Sequence, residues 1–332
     1  MNARKAMVIK EAWQSDVLGE ERPVLVPAIE LILSGDQPIV EWHLQRALER
    51  DQLAIRYQPK MAVSSGTLSG VEALLRWSHP ELGEVAPATF VPLAGESGLI
   101  VSIGRWVLQT ACAQNMAWQE RGLPPISVVV NLSPRQLLDA HLIDDIDAVL
   151  RATAMPAHLL ELEITEGMMI QDVDQASAVL CGIRSRGVRI AIDDFGTGYS
   201  SLAAIKQLPI DIIKIDRSFV RDLACSARDR AIVSAIIRMG RALGAAVVAE
   251  GVECVEQLQV LREEACDEVQ GFLISRPLSL VDMEIMLRMY RGALFPKAVG
   301  PCRSFGARSP SYADGPATPH SEMTRIVGSP SN

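Results

Sequence analysis

The chain lacks the sequence features of several large classes of protein. None of its six cysteines belongs to a C-x-x-C pair, which is unlike a thiolate metal site or a disulfide-rich secreted scaffold. No apolar run approaches the roughly 18 residues of a membrane helix. The best candidate for a leader, residues 24–33, contains Pro27 and Glu30 and has no small-residue cleavage pattern. We therefore expect a reduced, cytoplasmic protein without a membrane segment in this chain.

A surplus of basic residues is also missing. The formal net charge is −8 and the sequence pI is about 5.3. A general binder of nucleic acid polymers would show a basic face to the phosphate backbone, so we expect no such partner. Hydrophobic residues make up 48% of the chain, which is enough for a large core. An anionic substrate would need positive charge placed locally at its site.

Three regions of different composition divide the chain. Residues 1–38 form an amino-terminal extension whose prolines interrupt its apolar stretches, and the pattern leaves its structure unclear. Residues 39–290 carry periodic apolar patterns and are predicted to form one compact domain. Residues 291–332 are rich in Pro, Ser and Gly, with little to bury, and are predicted to be disordered.

A helix is predicted at the start of the compact region. It begins near Ile39 and is expected to carry Trp42, Leu44 and Leu48 on one side. This helix would lead the chain into the first strand of the domain.

Eight short segments rich in β-branched residues follow one another in the compact region. They are residues 54–59, 68–76, 126–132, 159–165, 189–194, 210–216, 245–250 and 268–274. Eight is the strand number of the closed α/β barrel, and helical patterns between the later segments, such as 229–243, predict parallel strands. Only residues 61–67 separate the first two segments, which is too short for a parallel crossover. The sequence therefore predicts an α/β fold, a TIM-like (β/α)8 barrel with an antiparallel first strand.

Polar or ionisable residues follow the apolar part of each segment from the second to the eighth. They are Glu72, Asn131, Glu163 with Glu166, Asp193 with Asp194, Lys214 with Asp216, Glu250, and Gln270. In a barrel such strand ends converge on one mouth, where active sites lie. Lys214 and Asp216 are two residues apart and share a face of their strand, so they can act on the same ligand. The pattern predicts a single site at the mouth.

Each of these residues also has an ordinary structural interpretation when it is taken alone. Asn131 suits the turn before the next helix, Asp193 suits a helix cap, and Lys214 suits one half of an ion pair. As a set, several carboxylates at one end of an apolar core repel each other and are costly to desolvate unless cations compensate. Carboxylates with one amide oxygen, and no His or Cys, favour Mg²⁺ or Mn²⁺ over zinc. Adjacent Asp193 and Asp194 suit two metal ions, and phosphoester hydrolysis is the natural chemistry.

A glycine-containing loop follows the paired aspartates. It begins with Phe195, Gly196, Thr197 and Gly198, and its two glycines allow it to approach a ligand or to change shape. The third glycine of a dinucleotide-binding fingerprint is missing. Taken alone, the loop is equally typical of a turn in which Thr197 or Ser200 caps the next helix.

Seven short motifs occur in order along the compact region. They are Glu72-Ala73-Leu74-Leu75-Arg76-Trp77, Asn131-Leu132-Ser133, Glu163-Ile164-Thr165-Glu166, Asp193-Asp194-Phe195-Gly196-Thr197-Gly198, Lys214-Ile215-Asp216, Glu250-Gly251-Val252-Glu253 and Gln270-Gly271-Phe272. Together they resemble the EAL domain family of cyclic di-GMP phosphodiesterases, over residues 39–280. The resemblance implies a barrel with an antiparallel first strand and hydrolysis of cyclic di-GMP to linear pGpG. It also implies a homodimer.

The resemblance further implies which residues hold metal and carry the chemistry. One Mg²⁺ or Mn²⁺ would be held by Glu72, Asn131, Glu163 and Asp193, and a second by Asp193, Asp194 and Glu250. Glu72, Lys214 and Glu250 are the residues expected to be catalytic. Lys214 would orient the attacking water, and Glu250 is the residue often proposed in the family as the general base.

Further positions are implied to contact the substrate or to regulate the site. Gln58 resembles the glutamine that contacts the substrate, and Arg76 resembles the arginine that binds its phosphate, where a planar guanidinium fits well. The remaining matches near the ligand or the lysine are Asp216, Glu253 and Gln270. Glu166 and the loop formed by Phe195, Gly196, Thr197 and Gly198 resemble an element that links metal binding to a dimer interface.

Two other functions remain open on the sequence alone. The chain could be a family member that binds cyclic di-GMP and signals without cleaving it, although it has lost none of the metal ligands. It could also be a barrel glycosidase that uses two carboxylates. The glycosidase would leave Lys214, Asn131 and the paired aspartates without a shared role.

Overall fold

Eight strands close into a ring in the computed structural model, which describes residues 37–169, 173–197 and 208–290. The strands of the described residues are β1 (Leu53–Ala62), β2 (Leu68–His79), β3 (Gly83–Val85), β4 (Ser127–Asn131), β5 (Leu160–Thr165), β6 (Arg189–Phe195), β7 (Ile212–Ile215), β8 (Ala246–Ala249) and β9 (Glu268–Gln270). Around the ring the order is β1, β9, β8, β7, β6, β5, β4 and β2, and β1 pairs with β2 to close it. The predicted barrel is confirmed.

The first strand of the barrel runs against its neighbours. β1 is antiparallel to both β2 and β9, whereas β2 and the strands from β4 to β9 are parallel. The short connection between β1 and β2 allows a hairpin but no crossover, so the predicted reversed strand is also confirmed. β3 was not among the predicted strands, and it pairs with the far end of β2 outside the ring.

Helices alternate with the strands of the barrel. In the described residues they are α1 (Gln37–Ala47), α2 (Pro87–Ser97), α3 (Leu99–Glu120), α4 (Pro134–Leu137), α5 (Leu142–Thr153), α6 (Val173–Arg184), α7 (Arg217–Val220), α8 (Ala227–Leu243), α9 (Val255–Glu263) and α10 (Leu280–Met289). The amphipathic run at 229–243 lies within α8, whose buried face includes Val233, Ile236, Ile237 and Gly240. None of these helices is both long and apolar enough to span a membrane.

Helix α1 agrees only in part with its prediction. Leu44 is buried and Leu48 packs against the core, but Trp42 is 48% exposed. Leu48 directly follows the last residue of α1, and Trp42 lies two residues before Leu44, a spacing that puts two side chains on different sides of a helix. The expectation that Trp42 shares their side is wrong.

The parallel strands change from apolar to polar along their length. Ile190, Ala191 and Ile192 of β6 are all buried, as parallel strands covered on both faces require. The same strand ends in Asp193 and Asp194. This change, repeated on neighbouring strands, places ionisable groups at the carboxyl end of the barrel.

Several predictions concern residues outside the described ranges. The extension at 1–36 and the tail at 291–332 are not described, so the proposed domain boundaries stay predictions. Among the described residues, Cys112, Cys181, Cys225, Cys254 and Cys266 form no disulfide bond.

Candidate active site

Lys214 lies at the centre of the predicted site. Its ammonium is buried at the end of β7, where Nζ is 2.6 Å from Glu250 Oε1 and 2.7 Å from Glu163 Oε1. Asp193 Oδ1 lies 3.5 Å away and Glu72 Oε2 lies 3.7 Å away. Four strands thus bring four carboxylates around one cation, as the pattern of strand ends predicted.

The carboxylate of Glu72 is held by two amides. Asn131 Nδ2 donates to Oε1 at 2.8 Å, and Gln270 Nε2 donates to Oε2 at 2.6 Å. These bonds join the ends of β4 and β9 to β2. Gln270 was predicted to contact the substrate, but its side chain is buried and bound to Glu72.

The paired aspartates reach the same site because β6 is irregular. Successive residues of a regular strand point to opposite faces, which would separate Asp193 from Asp194. The pairing of β6 with β7 shifts register between Ile192 and Phe195, and Asp194 has a φ of 54°. As a result, oxygens of Asp193, Asp194 and Glu250 all lie within 4.8 Å of one another.

The carboxylates of this cluster are costly to ionise. Burial, reinforced by neighbouring carboxylates, raises the pKa of Glu163 well above its ordinary value in spite of Lys214. Burial also raises the pKa of Glu250 to about 7 and that of Asp194 to about 6. For Lys214, burial alone would lower the pKa, but the surrounding carboxylates outweigh it and raise the pKa well above its ordinary value. The site therefore has more negative charge than its lysine can balance.

The residues fit a divalent cation. Within the part of the chain that the structure describes, the buried atoms Glu163 Oε2 and Asp193 Oδ1 accept no hydrogen bond. Buried polar atoms normally have a hydrogen-bond partner, so each unsatisfied oxygen requires an explanation. Clustered carboxylate oxygens with an amide beside them are the donors that Mg²⁺ and Mn²⁺ prefer.

Gln58 and Arg76 lie on the same face of their strands as Glu72. Gln58 stands directly opposite Glu72 in the pairing of β1 with β2. Arg76 follows Glu72 by four residues on β2 and so shares its face. Arg76 is half-buried, and its Nη1 donates to the carbonyl of Leu75 at 2.9 Å.

Two other predicted substrate contacts have different surroundings. Asp216 caps α7, because its Oδ1 accepts from the backbone N–H of Ser218 at 3.0 Å. Glu253 is exposed in the loop after β8, and its backbone N–H donates to Gln257 Oε1. The prediction that these carboxylates face a ligand stays untested.

The loop after the aspartates is tied to the end of β5. Glu166 Oε2 accepts from the backbone N–H of Gly196 at 3.0 Å, and Thr197 Oγ1 donates to the carbonyl of Asp194 at 2.8 Å. Gly196 has a φ of 94°, which favours glycine, and Phe195 is buried. Gly198 lies outside the described residues.

A second ionic cluster, which was not predicted from the sequence, lies one layer deeper in the barrel. Lys60 Nζ is 2.5 Å from Glu161 Oε2 and 3.1 Å from Glu268 Oε2, and Arg189 also pairs with Glu161. Strand alternation could have revealed it, because Glu161 stands two residues before Glu163 and points to the same face.

Comparison with known proteins identifies the family. The sequence model described as EAL domain matches residues 42–277. The chain is 48% identical over 236 residues to the bifunctional diguanylate cyclase/cyclic di-GMP phosphodiesterase MucR of Pseudomonas aeruginosa, covering 71% of this chain and 34% of MucR. It is 43% identical over 263 residues to the cyclic di-GMP phosphodiesterase NbdA of the same organism, covering 79% of this chain and 34% of NbdA.

A solved structure has the same fold. The PaMucR phosphodiesterase in complex with c-di-GMP superposes with a TM-score of 0.70 at 44% identity, covering 74% of this chain and 99% of that one. The chain spans about a third of the length of the two curated relatives. The family match extends over most of the compact region, and it includes every strand of the barrel. The chain belongs to the EAL domain family.

Proposed function

We propose that this chain is a metal-dependent phosphodiesterase that hydrolyses cyclic di-GMP to linear pGpG. The observation that carries the proposal is the cluster around Lys214, in which two buried carboxylate oxygens accept no hydrogen bond from the described residues. The names of MucR and NbdA, and the c-di-GMP complex of PaMucR, support the choice of substrate. A binding module would not need this surplus of metal-binding groups.

The metal ligands are proposed from the cluster and from the family resemblance. Glu72, Asn131, Glu163 and Asp193 would hold one Mg²⁺ or Mn²⁺, while Asp193, Asp194 and Glu250 would hold a second. Bound divalent cations make water a stronger nucleophile at neutral pH and withdraw negative charge from a phosphodiester. The bulge in β6 supports a shared role for Asp193, since it brings the two aspartates together.

Lys214 is proposed to orient the attacking water, and Glu250 is proposed to accept its proton. The Lys214 ammonium donates to Glu163 Oε1 and lies 2.6 Å from Glu250 Oε1, and these contacts would fix both carboxylates where a water can be oriented. Glu250 would accept the proton of that water as its oxygen attacks phosphorus. One phosphorus–oxygen bond of the ring would then break, the leaving oxygen would take a proton from solvent, Glu250 would return its proton to solvent, and linear pGpG would result.

Arg76 and Gln58 are proposed to bind the substrate. The guanidinium of the half-buried Arg76 would supply local positive charge for a phosphodiester in an otherwise acidic chain. Gln58 lies opposite Glu72 and would contact the substrate beside the metal ligands. Asp216 and Glu253 remain proposed contacts near the mouth. Gln270 is proposed to act through Glu72, because its amide holds that carboxylate.

Regulation and assembly are further parts of the proposal. Glu166 holds Gly196 through a hydrogen bond, so a change at the metal ligands of β6 can be transmitted to the loop. We propose a homodimer whose interface this loop influences, and a cytoplasmic location. Sedimentation of the purified protein over a range of concentrations tests the dimer.

Turnover of the purified protein tests the proposal directly. We expect pGpG, resolved from cyclic di-GMP by chromatography, in the presence of Mg²⁺ or Mn²⁺. Glu72→Ala should abolish the product, whereas Glu256→Ala, on the exposed surface of α9, should not. Folded protein that binds cyclic di-GMP but forms no pGpG with either metal would instead be a binding module.

A further inference from the structure

The buried lysine of the deeper cluster crosses the inside of the barrel. Lys60 is 2% exposed, and it extends from β1 to Glu161 on β5. β5 is not a neighbour of β1 in the ring. The same ammonium binds Glu268 on β9, which does pair with β1. One side chain therefore links three strands: β1, its neighbour β9, and β5 across the lumen.

The sequence leaves space for this side chain. A Cβ atom at Gly70, which pairs with Lys60 across β1 and β2, would lie 2.5 Å from Lys60 Cε and 2.2 Å from Ser127 Oγ. Gly70 has no positive φ, so its backbone conformation does not require glycine. Its small size instead allows Lys60 to pass into the lumen.

Both partners of Lys60 stand just below residues of the proposed metal centre. Glu161 is two residues before Glu163, and Glu268 is two residues before Gln270, whose amide holds Glu72 at 2.6 Å. Residues two apart on a strand share a face and are separated by one layer of side chains. The ion pairs of Lys60 thus fix β5 one layer beneath Glu163. They also fix β9 one layer beneath Gln270, whose amide holds Glu72.

The deeper cluster is balanced in charge. Two cations, Lys60 and Arg189, face two carboxylates, Glu161 and Glu268. Burial alone would raise the pKa of Glu161, but Lys60 and Arg189 outweigh it and lower the pKa. This cluster therefore needs no metal of its own, and its contribution to the mouth must come through geometry.

We propose that Lys60 is a positioning residue for the metal centre, because its ion pairs hold β5, which carries Glu163, and β9, whose Gln270 holds Glu72, at the spacing that these ligands need to bind the cations. The inference rests on the proposed function, since it concerns the same metal ligands. Lys60 contacts neither substrate nor metal in this account.

A matched pair of variants tests the inference. Lys60→Met and Arg189→Met each remove one cation from the same cluster, but only Lys60→Met removes the link across the lumen. Mn²⁺ binding is followed by the electron paramagnetic resonance signal of the free ion, on protein shown to be folded by circular dichroism. We expect Lys60→Met to raise the dissociation constant for Mn²⁺ by about tenfold, the lower end of the range for residues that orient metal ligands. Arg189→Met should leave it unchanged.

Turnover separates positioning from a general structural role. Lys60→Met should need about tenfold more Mn²⁺ for half-maximal pGpG formation, while kcat at saturating Mn²⁺ stays close to that of the wild type. Gly70→Ala keeps all four charges and displaces Lys60, so it should shift the Mn²⁺ requirement in the same direction. It carries the test if Lys60→Met does not fold.

The outcomes distinguish this inference from the proposed function. If the wild type binds no Mn²⁺, the proposed metal centre fails. If the wild type binds Mn²⁺ and Lys60→Met binds it with the same affinity as Arg189→Met, the positioning role is contradicted. Wild-type affinity for Mn²⁺ in folded Gly70→Ala would contradict it as well.

Discussion

Glu161 and Glu163 lie two residues apart on β5, point into the same barrel and are each 1% exposed, yet their pKa values move in opposite directions. Burial raises the pKa of both. At Glu161, Lys60 and Arg189 outweigh that effect, whereas at Glu163 the other carboxylates add to it and Lys214 does not compensate. The balance of cations and carboxylates nearby, rather than the depth of burial, separates the two glutamates.

This difference distinguishes a structural cluster from a functional one. The deeper cluster satisfies its charges with its own side chains, as buried ion pairs do when they serve the fold. The mouth has one lysine for the carboxylates of Glu72, Glu163, Asp193 and Glu250. A deficit of this kind, in a group of perturbed carboxylates, indicates a site completed by cations from solution.

Removal of metal should produce the largest difference between the two clusters. Treatment with EDTA is expected to abolish pGpG formation completely, and added Mn²⁺ should restore it, because only the mouth depends on external cations. Circular dichroism should show that the fold survives the treatment, since the deeper cluster is neutral without metal. Turnover that persists in EDTA would contradict the metal centre.

Glu163→Gln should impair the cluster at the mouth and leave the deeper cluster intact. Changing a residue that only orients a metal ligand can lower activity by roughly 100-fold. Glu163 is itself a proposed ligand, so we expect turnover to fall by at least that factor. Metal-free stability should not fall, since the change removes one of several mutually repelling buried charges. Steady-state kinetics and urea unfolding in EDTA measure the two effects. A large loss of metal-free stability would indicate that Glu163 serves the fold.

Glu161→Gln should lower stability and leave turnover largely intact, the reverse of Glu163→Gln. Removing one partner of a buried ion pair costs about 3 to 5 kcal/mol, so we expect a loss of this order in the free energy of unfolding. Folded protein at saturating Mn²⁺ should still form pGpG. Urea unfolding compared with that of Glu163→Gln measures the difference, and equal stability of the two variants would remove the distinction.

Arg189→Met should have the smallest effect. Arg189 is 38% exposed and screened by water, so its ion pair with Glu161 should contribute less than about 1 kcal/mol. Thermal unfolding beside Lys60→Met measures this. A loss of stability as large as that of Lys60→Met would show that the half-exposed Arg189 stabilises the cluster as much as the buried Lys60 does.

The sequence predicts the barrel well because its signals are local. The short hairpin connection determines the reversed first strand, and the change from apolar to polar residues places Glu72, Glu163 and Lys214 at one end. The meeting of Asp193 with Asp194 depends on a bulge that alternation does not contain. The reach of Lys60 to Glu161 joins residues 101 apart and depends on the closed ring, which no local pattern encodes.

The most direct test counts the Mn²⁺ ions bound to the wild type, Glu161→Gln and Glu163→Gln. Electron paramagnetic resonance of free Mn²⁺ gives the number at saturation. The account predicts two ions for the wild type and for Glu161→Gln, and fewer for Glu163→Gln. A wild type that binds no Mn²⁺, or an equal loss of ions in both variants, would contradict it.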